Sequence, residues 1–266
     1  MTAAPATPPV IETVGLSKSF GPQRVLAGLD LTVGRGESLV IIGGSGTGKS
    51  VLLRCILGLE TIDAGSIRLN GAAATPASRA AFLADFGMLF QSAALFDSLP
   101  VWENVAFRLL RQMPRPQARA RAIDRLARVG LGADVADRMP AELSGGMRKR
   151  AGLARAIAAD PRVIFFDEPT TGLDPQRAAG INALIRSIVT ETGATSVTIT
   201  HDMGSVRTIA DRVAMLADGR LVWQGSVAEM DAATDRHLRD FVEGRPPEHW
   251  RAAAVGKGGG ERGSAP

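Results

Sequence analysis

One eight-residue stretch restricts this chain more than any other. Gly43–Ser50, reading GGSGTGKS, directly follows the apolar run Leu39–Val40–Ile41–Ile42. A strand, a glycine-rich turn and a helix start, in that order, aim successive backbone N–H groups at one point, and the helix N-terminus adds its positive end. Such a turn cradles the α- and β-phosphates of a nucleotide. Gly43 and Gly48 close the two ends of the loop and let the backbone come near the phosphates, with Gly44, Ser45, Gly46 and Thr47 between them. Lys49 then reaches the β- and γ-phosphates, Ser50 offers its hydroxyl to a Mg²⁺ shell, and Val51 completes the nucleotide-binding set. The bland alternative is a Gly/Ser surface turn that precedes a lysine by chance.

The rest of the composition mainly excludes. A chain of 266 residues with 45% apolar side chains can bury a full core, with room for an inserted subdomain. Cys55 is the sole cysteine, so internal disulfides and cysteine-rich zinc sites are ruled out; its apolar neighbours make it a small buried hydrophobe. Three histidines leave little for a three-His metal site, and a charge of +4 permits an anionic partner without requiring one. No run approaches the about 18 apolar residues that span a bilayer, and MTAAPATPPV lacks the features of a signal peptide. The expectation is a cytoplasmic protein whose connection to a membrane goes through a partner.

Taken in order, residues 1–9 are proline-rich with no reason to fold. Ile11–Leu16 and Leu29–Val33 read as strands around the Gly21–Pro22 turn, with Phe20 just ahead of it, placed either to stack on an adenine face or to fill the core. Ser38–Ile42 is the strand feeding the loop, and Lys49–Leu59 the helix leaving it. Ser66–Leu69 is a short strand, 72–85 is alanine-rich and helical, and Gly87–Gln91 is a strand ending in a polar residue. From Gln91 to Ala158 the pattern is helical, with Arg119, Arg121, Arg125 and Arg128 on a solvated face. Val163–Phe166 and Val197–Thr200 are buried strands. Pro175 opens a helix with an Ile181, Leu184, Ile185, Ile188 stripe, Met203–Ile209 is a further helix, and Val213–Leu216 with Leu221–Gln224 form an edge hairpin. This alternation predicts an α/β fold of mostly parallel sheet with an antiparallel edge, its ligand beyond the carboxyl ends of the strands. The domain expectation is a core of 10–90 and 159–230, a helical subdomain of 91–158, and an extension of 244–266 that includes Trp250.

Three further constellations carry chemistry. The run Val163–Phe166 delivers Asp167 toward the Mg²⁺ shell beside Ser50, and Glu168, one residue on, can polarise a water for in-line attack on a γ-phosphate. Thr198–Ile199–Thr200–His201 ends at the same edge, where His201 can contact the γ-phosphate or hold Glu168 and the water; the plainer alternative is a histidine that is merely hydrogen-bonded. Gln91 suits a Mg²⁺ or water contact. Leu143–Ser144–Gly145–Gly146–Met147 resembles a second anion-binding turn at a helix start, although a capped helix explains part of it. One nucleotide has no need of two such turns. Two copies of the chain, head to tail about a two-fold axis, would clamp each ATP between Gly43–Ser50 of one and Ser144–Gly146 of the other.

Taken together, GGSGTGKS, Gln91, LSGG, FFDEPTTGLDP and TITHD resemble the nucleotide-binding subunit of ABC transporters over about residues 10–235. The resemblance implies a P-loop NTPase (RecA-like) core with an inserted ABC-type helical subdomain and an ATPase using ATP and Mg²⁺. It also implies a homodimer bound to integral-membrane permease subunits at the cytoplasmic face of the inner membrane. By the same resemblance Phe20 stacks on adenine, Gln91 senses the membrane partner, Ser144–Gly146 is the signature, Asp174 is a dimer-interface aspartate, Glu168 is the catalytic base and His201 the switch. Phe20 stands where the family commonly has tyrosine.

Finer features resemble a subfamily. Met147 replaces the glutamine that usually follows LSGG, and MLFQSAALFDSLPVWENVAF and LRDFVEGRPP resemble segments of the ATPases of mammalian-cell-entry-type phospholipid transporters. That likeness implies phospholipid transport, a periplasmic lipid-binding subunit and a small cytoplasmic accessory subunit as partners. The alternatives are another ABC importer, for an amino acid or other small solute, and a soluble ABC-type ATPase that uses Arg148–Arg150 and the arginine-bearing helix on nucleic acid or ribosomes.

Overall fold

The computed structural model describes residues 7–245. Its strands are β1 (Ile11–Phe20), β2 (Gln23–Val33), β3 (Ser38–Ile42), β4 (Ala64–Leu69), β5 (Ala72–Ala73), β6 (Phe86–Leu89), β7 (Val163–Asp167), β8 (Thr195–Ile199), β9 (Arg212–Ala217) and β10 (Arg220–Gly225). The helices are α1 (Lys49–Leu57), α2 (Pro76–Ala84), α3 (Val101–Ala106), α4 (Arg115–Arg128), α5 (Gly145–Ala156), α6 (Pro175–Thr192), α7 (Met203–Ile209), α8 (Val227–Asp231) and α9 (Arg236–Val242). The residues divide into two compact units, up to Val227 and from Ala228.

In the first unit the central sheet has the order β10-β9-β3-β8-β7-β6, parallel except for β10 at one edge. Its middle strands are buried on both faces, one of which shares a core with α1 and with β1, β2 and β4, and this is why they read as continuous apolar runs. Register then fixes the functional edge. Ile41 pairs with Ile199, and Ile199 pairs with Asp167, so the chain leaves β3, β7 and β8 at one level. Gly43, Glu168 and His201 all stand just past that line.

A second, antiparallel sheet of order β2-β1-β4-β5 accompanies the first. Its strands are longer than expected. β1 continues through Ser17–Phe20, past register shifts that begin at Thr13/Leu16, and buries Lys18, whose ammonium lies 3.6 Å from Asp63 and 3.9 Å from Glu60. A polar run of this kind breaks the apolar signal while the ladder continues. Other boundaries also move: α1 ends at Leu57 with Gly58 as its left-handed cap, and residues 72–85 split into the short β5 and α2.

Between β6 and β7 the chain is helical, as expected. α5 lies against β6 so closely that a Cβ on Gly87 would fall 2.1 Å from the Ala156 carbonyl. The arginines of α4 are not a free solvated face. Arg119 meets Asp137 at 2.6 Å, Arg121 pairs with Asp160, Arg125 reaches Asp160 at 2.7 Å, and Arg128 reaches Glu191 at 3.0 Å. Arg125 and Arg128 thereby tie the helical stretch to the turn before β7 and to the end of α6.

The second unit carries α9, whose first turn is capped by Asp235 accepting from the Leu238 N–H at 2.9 Å. Among the described residues no helix is long and apolar enough to cross a membrane. The expected extension beyond Arg245, with Trp250, and residues 1–6 lie outside the described residues.

Candidate functional site

The loop after β3 bends where only glycine fits. Gly43 has φ 148°, and a Cβ there would sit 2.3 Å from the Leu216 carbonyl oxygen. α1 begins at Lys49 behind Gly48, with no side chain capping its first N–H groups, so those donors point into the loop. Lys49 is buried, and its ammonium donates to the carbonyls of Gly43 at 2.7 Å and Gly44 at 2.8 Å. Burial pulls its pKa down, against the raising pull of Glu168 and Asp167. Gly46, Thr47, Gly48, Lys49, Ser50 and Val51 line a hollow of 140 Å³ with Val25 at its side, and Ser45 and Ser50 are exposed.

Opposite the loop stand two carboxylates. Burial raises the pKa of Asp167, the adjacent Glu168 raises it further, and Lys49 and Lys149 pull it back. Glu168 has a left-handed φ of 48°, a conformation a branched chain of contacts must hold in place. Its N–H donates to the Ile199 carbonyl at 2.8 Å, its carboxylate accepts from the Thr171 hydroxyl at 3.1 Å, and His201 Nδ1 lies 2.9 Å away. His201 is exposed and Glu168 half-buried, so the pair opens outward.

Behind His201, Asp202 caps α7, accepting from the N–H groups of Gly204 and Ser205 at 3.0 and 3.1 Å. Burial alone would raise its pKa; the hydrogen bonds from Ser205, Gly204 and Thr170 outweigh that and hold it below the usual value.

Ser50, Asp167 and Gln91 offer a hydroxyl, a carboxylate and an amide oxygen, the hard donors that suit Mg²⁺. The crowding of Asp167 against Glu168 is what a divalent cation would relieve, so these residues fit the ion. Among the described residues no group of three or more His, Cys, Asp or Glu side chains could hold a metal ion. Gln91 needs one correction: β6 stops at Leu89, and Gln91 stands in an exposed turn two residues on, not at a strand terminus.

Phe20 is 42% exposed at the end of β1, with the Lys18 ammonium 5.1 Å from its ring centre, so it is not a core aromatic. Ser144 caps α5, its hydroxyl accepting from the Met147 N–H at 3.3 Å, and Ser144 and Gly145 are exposed. The neighbouring start of α6 is capped by Asp174, which accepts from the Arg177 N–H at 2.9 Å, and Gly146 faces the Arg177 side chain. The signature turn and Asp174 therefore share one patch of surface.

Sequence reasoning missed one participant. Lys149 is buried, and its ammonium donates to the backbone carbonyls of Gln91 and, at 3.3 Å, Glu168. Burial lowers its pKa while Glu168 and Asp167 raise it. The available signal was its place four residues before Leu153, on the inward stripe of α5.

The protein-family profile described as "ABC transporter" matches residues 26–171, more than half of the chain. Over 240 residues the chain is 41% identical to the probable ribonucleotide transport ATP-binding protein mkl of Mycobacterium bovis, covering 88% of this chain and 67% of that one. It is likewise 41% identical over 217 residues to the glutamate transport ATP-binding protein GluA of Corynebacterium glutamicum, covering 80% and 89%. Among solved structures, the dimeric post-hydrolysis state of the ATP-binding cassette MJ0796 bound to ADP and Pi superposes with a TM-score of 0.74 at 28% identity, over 82% of this chain and 98% of that chain.

Proposed function

Because the chain belongs to the ABC transporter family as an ATP-binding, ATP-hydrolysing subunit, we propose how its residues divide that work and what the work drives. The observation that carries the reading is the shared edge of β3, β7 and β8, where the phosphate loop, Asp167–Glu168 and His201 leave the sheet together. Glu168 is the general base, taking a proton from the attacking water on its carboxylate. His201, hydrogen-bonded to that carboxylate through Nδ1, fixes its direction. Lys49 and the loop N–H groups hold phosphate oxygens, Phe20 stacks on the base, and Mg²⁺ held by Ser50, Gln91 and Asp167 supplies charge neutralisation.

Two copies face head to tail, so that the exposed Ser144–Gly146 turn and Asp174 of one complete the loop of the other. That the related cassette is dimeric when bound to ADP and Pi supports a pair of copies. Next to Gln91, an apolar groove of 530 Å³ lined by Leu59, Leu83, Phe90, Phe96 and Phe107 is the seat for a cytoplasmic helix of a permease. Nucleic-acid binding by α4 is disfavoured, since its arginines are engaged with acids.

For cargo, the names of the relatives, ribonucleotide and glutamate transport ATP-binding proteins, support import of a small solute. Phospholipid transport is the second reading, favoured by the MLFQSAALFDSLPVWENVAF and LRDFVEGRPP segments.

The Glu168→Gln variant tests both levels. It should keep ATP binding, lose about 10²-fold or more of turnover and accumulate closed dimer on size-exclusion chromatography. Retained steady-state hydrolysis would reject Glu168 as the base. Isolation of that trapped complex from solubilised membranes identifies the cargo class: a solute-binding protein supports the first reading, a single-anchor lipid-binding subunit the second.

A further inference from the structure

α5 begins at the signature turn, and one turn later it drives a lysine into the site of its own chain. Lys149 is only 6% exposed, yet it touches no carboxylate directly; its ammonium is spent on two backbone carbonyls, those of Gln91 and Glu168. Those carbonyls belong to the two loops that must agree for hydrolysis: the one that adjoins the apolar groove and the one that holds Glu168 in its left-handed conformation. A backbone held at φ 48° needs outside support, and at Glu168 the Lys149 ammonium adds to the single N–H, that of Thr171 at 3.3 Å, that reaches its carbonyl. From this geometry we infer that Lys149 is a positioning residue, pinning the Gln91 turn and the Glu168 backbone to α5 so that the base is aligned only when the signature helix is seated.

The inference rests on Glu168 being the base, and it deepens that reading by naming what aligns it. An ammonium is suited to the task because its three donors can serve two carbonyls from one point, which no neutral side chain of α5 can do. The link also joins the two composite sites. Ser144 at the head of α5 serves the partner's nucleotide, while Lys149 on the same helix serves its own.

Three variants test this: Lys149→Met, which keeps length but removes the donors, Lys149→Gln, which keeps a shorter donor, and Glu168→Gln beside them. Lys149→Met is expected to lower kcat by about 10–100-fold with the KM for ATP within about twofold, the signature of a misaligned group rather than lost binding. Amide hydrogen exchange should quicken at Gln91–Ala94 and Glu168–Thr171 while α6 stays protected. Lys149→Gln should fall between Lys149→Met and the wild type, and it decides the matter should Lys149→Met not fold. Wild-type kcat in either variant overturns the inference, as does a loss of kcat with no change of exchange in those two loops. If Glu168→Gln keeps its turnover, it is the assignment of the base that fails; if Glu168→Gln is inactive and Lys149→Met keeps the wild-type kcat, only the role of Lys149 fails.

Discussion

At the scale of single residues, the site concentrates departures from comfortable chemistry. Glu168 is left-handed, Asp167 is crowded, and both lysines are partly stripped of water. Each departure costs free energy, and the neighbouring hydrogen bonds offset it. Asp202 is the clearest stabilising counterweight, because its pKa is lowered from an ordinary 3.8 by the hydrogen bonds that seat α7. A carboxyl whose folded pKa lies below its unfolded one adds stability above the unfolded value, and that contribution fades as pH falls through the folded value. Asp202→Asn should therefore be less stable than the wild type near pH 7, with the gap closing below about pH 4. Denaturant melts of both proteins at pH 7 and pH 3 check this; a gap that is constant with pH would remove Asp202 from the acid response.

At the scale of elements, α3 holds the helical stretch in shape through one buried amide. Asn104 accepts from the Phe96 N–H at 2.7 Å and donates to the carbonyls of Phe96 at 3.0 Å and Leu99 at 2.9 Å. It thus closes the loop that presents Phe96, which packs on Phe107 with ring centres 4.6 Å apart in the apolar groove. Asn104→Ala removes these partly buried hydrogen bonds together and leaves a gap where the fully buried side chain stood, so about 2 kcal/mol of stability should be lost, a fall of about 4–8 °C in Tm. Basal ATP hydrolysis should survive while stimulation by a permease drops; an unchanged melting curve would show that the loop closes without the amide. Such a residue is not visible in an apolar pattern, and this marks the boundary of what the sequence discloses. β3, β7 and β8 were legible because strands covered on both faces are apolar throughout, and their polar ends located Asp167, Glu168 and His201. The extension of β1 through Ser17 and Lys18 was hidden, since bulged strands lose the alternation that a reader counts. Lys149 was hidden for a related reason: a lysine within Arg148–Arg150 reads as surface charge until burial is known.

At the scale of the molecule, the decisive question is whether a site is completed by a second copy. Let one subunit carry Ser144→Arg and the other Lys49→Ala. In a head-to-tail pair the intact loop of the first meets the intact signature turn of the second, and the two lesions fall together in the remaining site. Each homodimer, by contrast, has both sites damaged. Two inactive proteins should therefore regain hydrolysis on mixing and re-association. Random pairing makes half of the dimers mixed, each with one of two sites sound, so recovery should approach about a quarter of wild-type activity where the sites turn over independently. If each chain instead held its nucleotide unaided, every subunit in the mixture would remain damaged and nothing would be regained. The measurement is ATPase activity against mixing ratio, with mixed dimers verified by mass. The expected curve peaks at equal amounts and vanishes at either end; a flat line at zero would mean that each chain's own Ser144–Gly146 turn serves its own nucleotide, and activity in simple proportion to the share of Ser144→Arg would mean that the turn caps a helix and does no more.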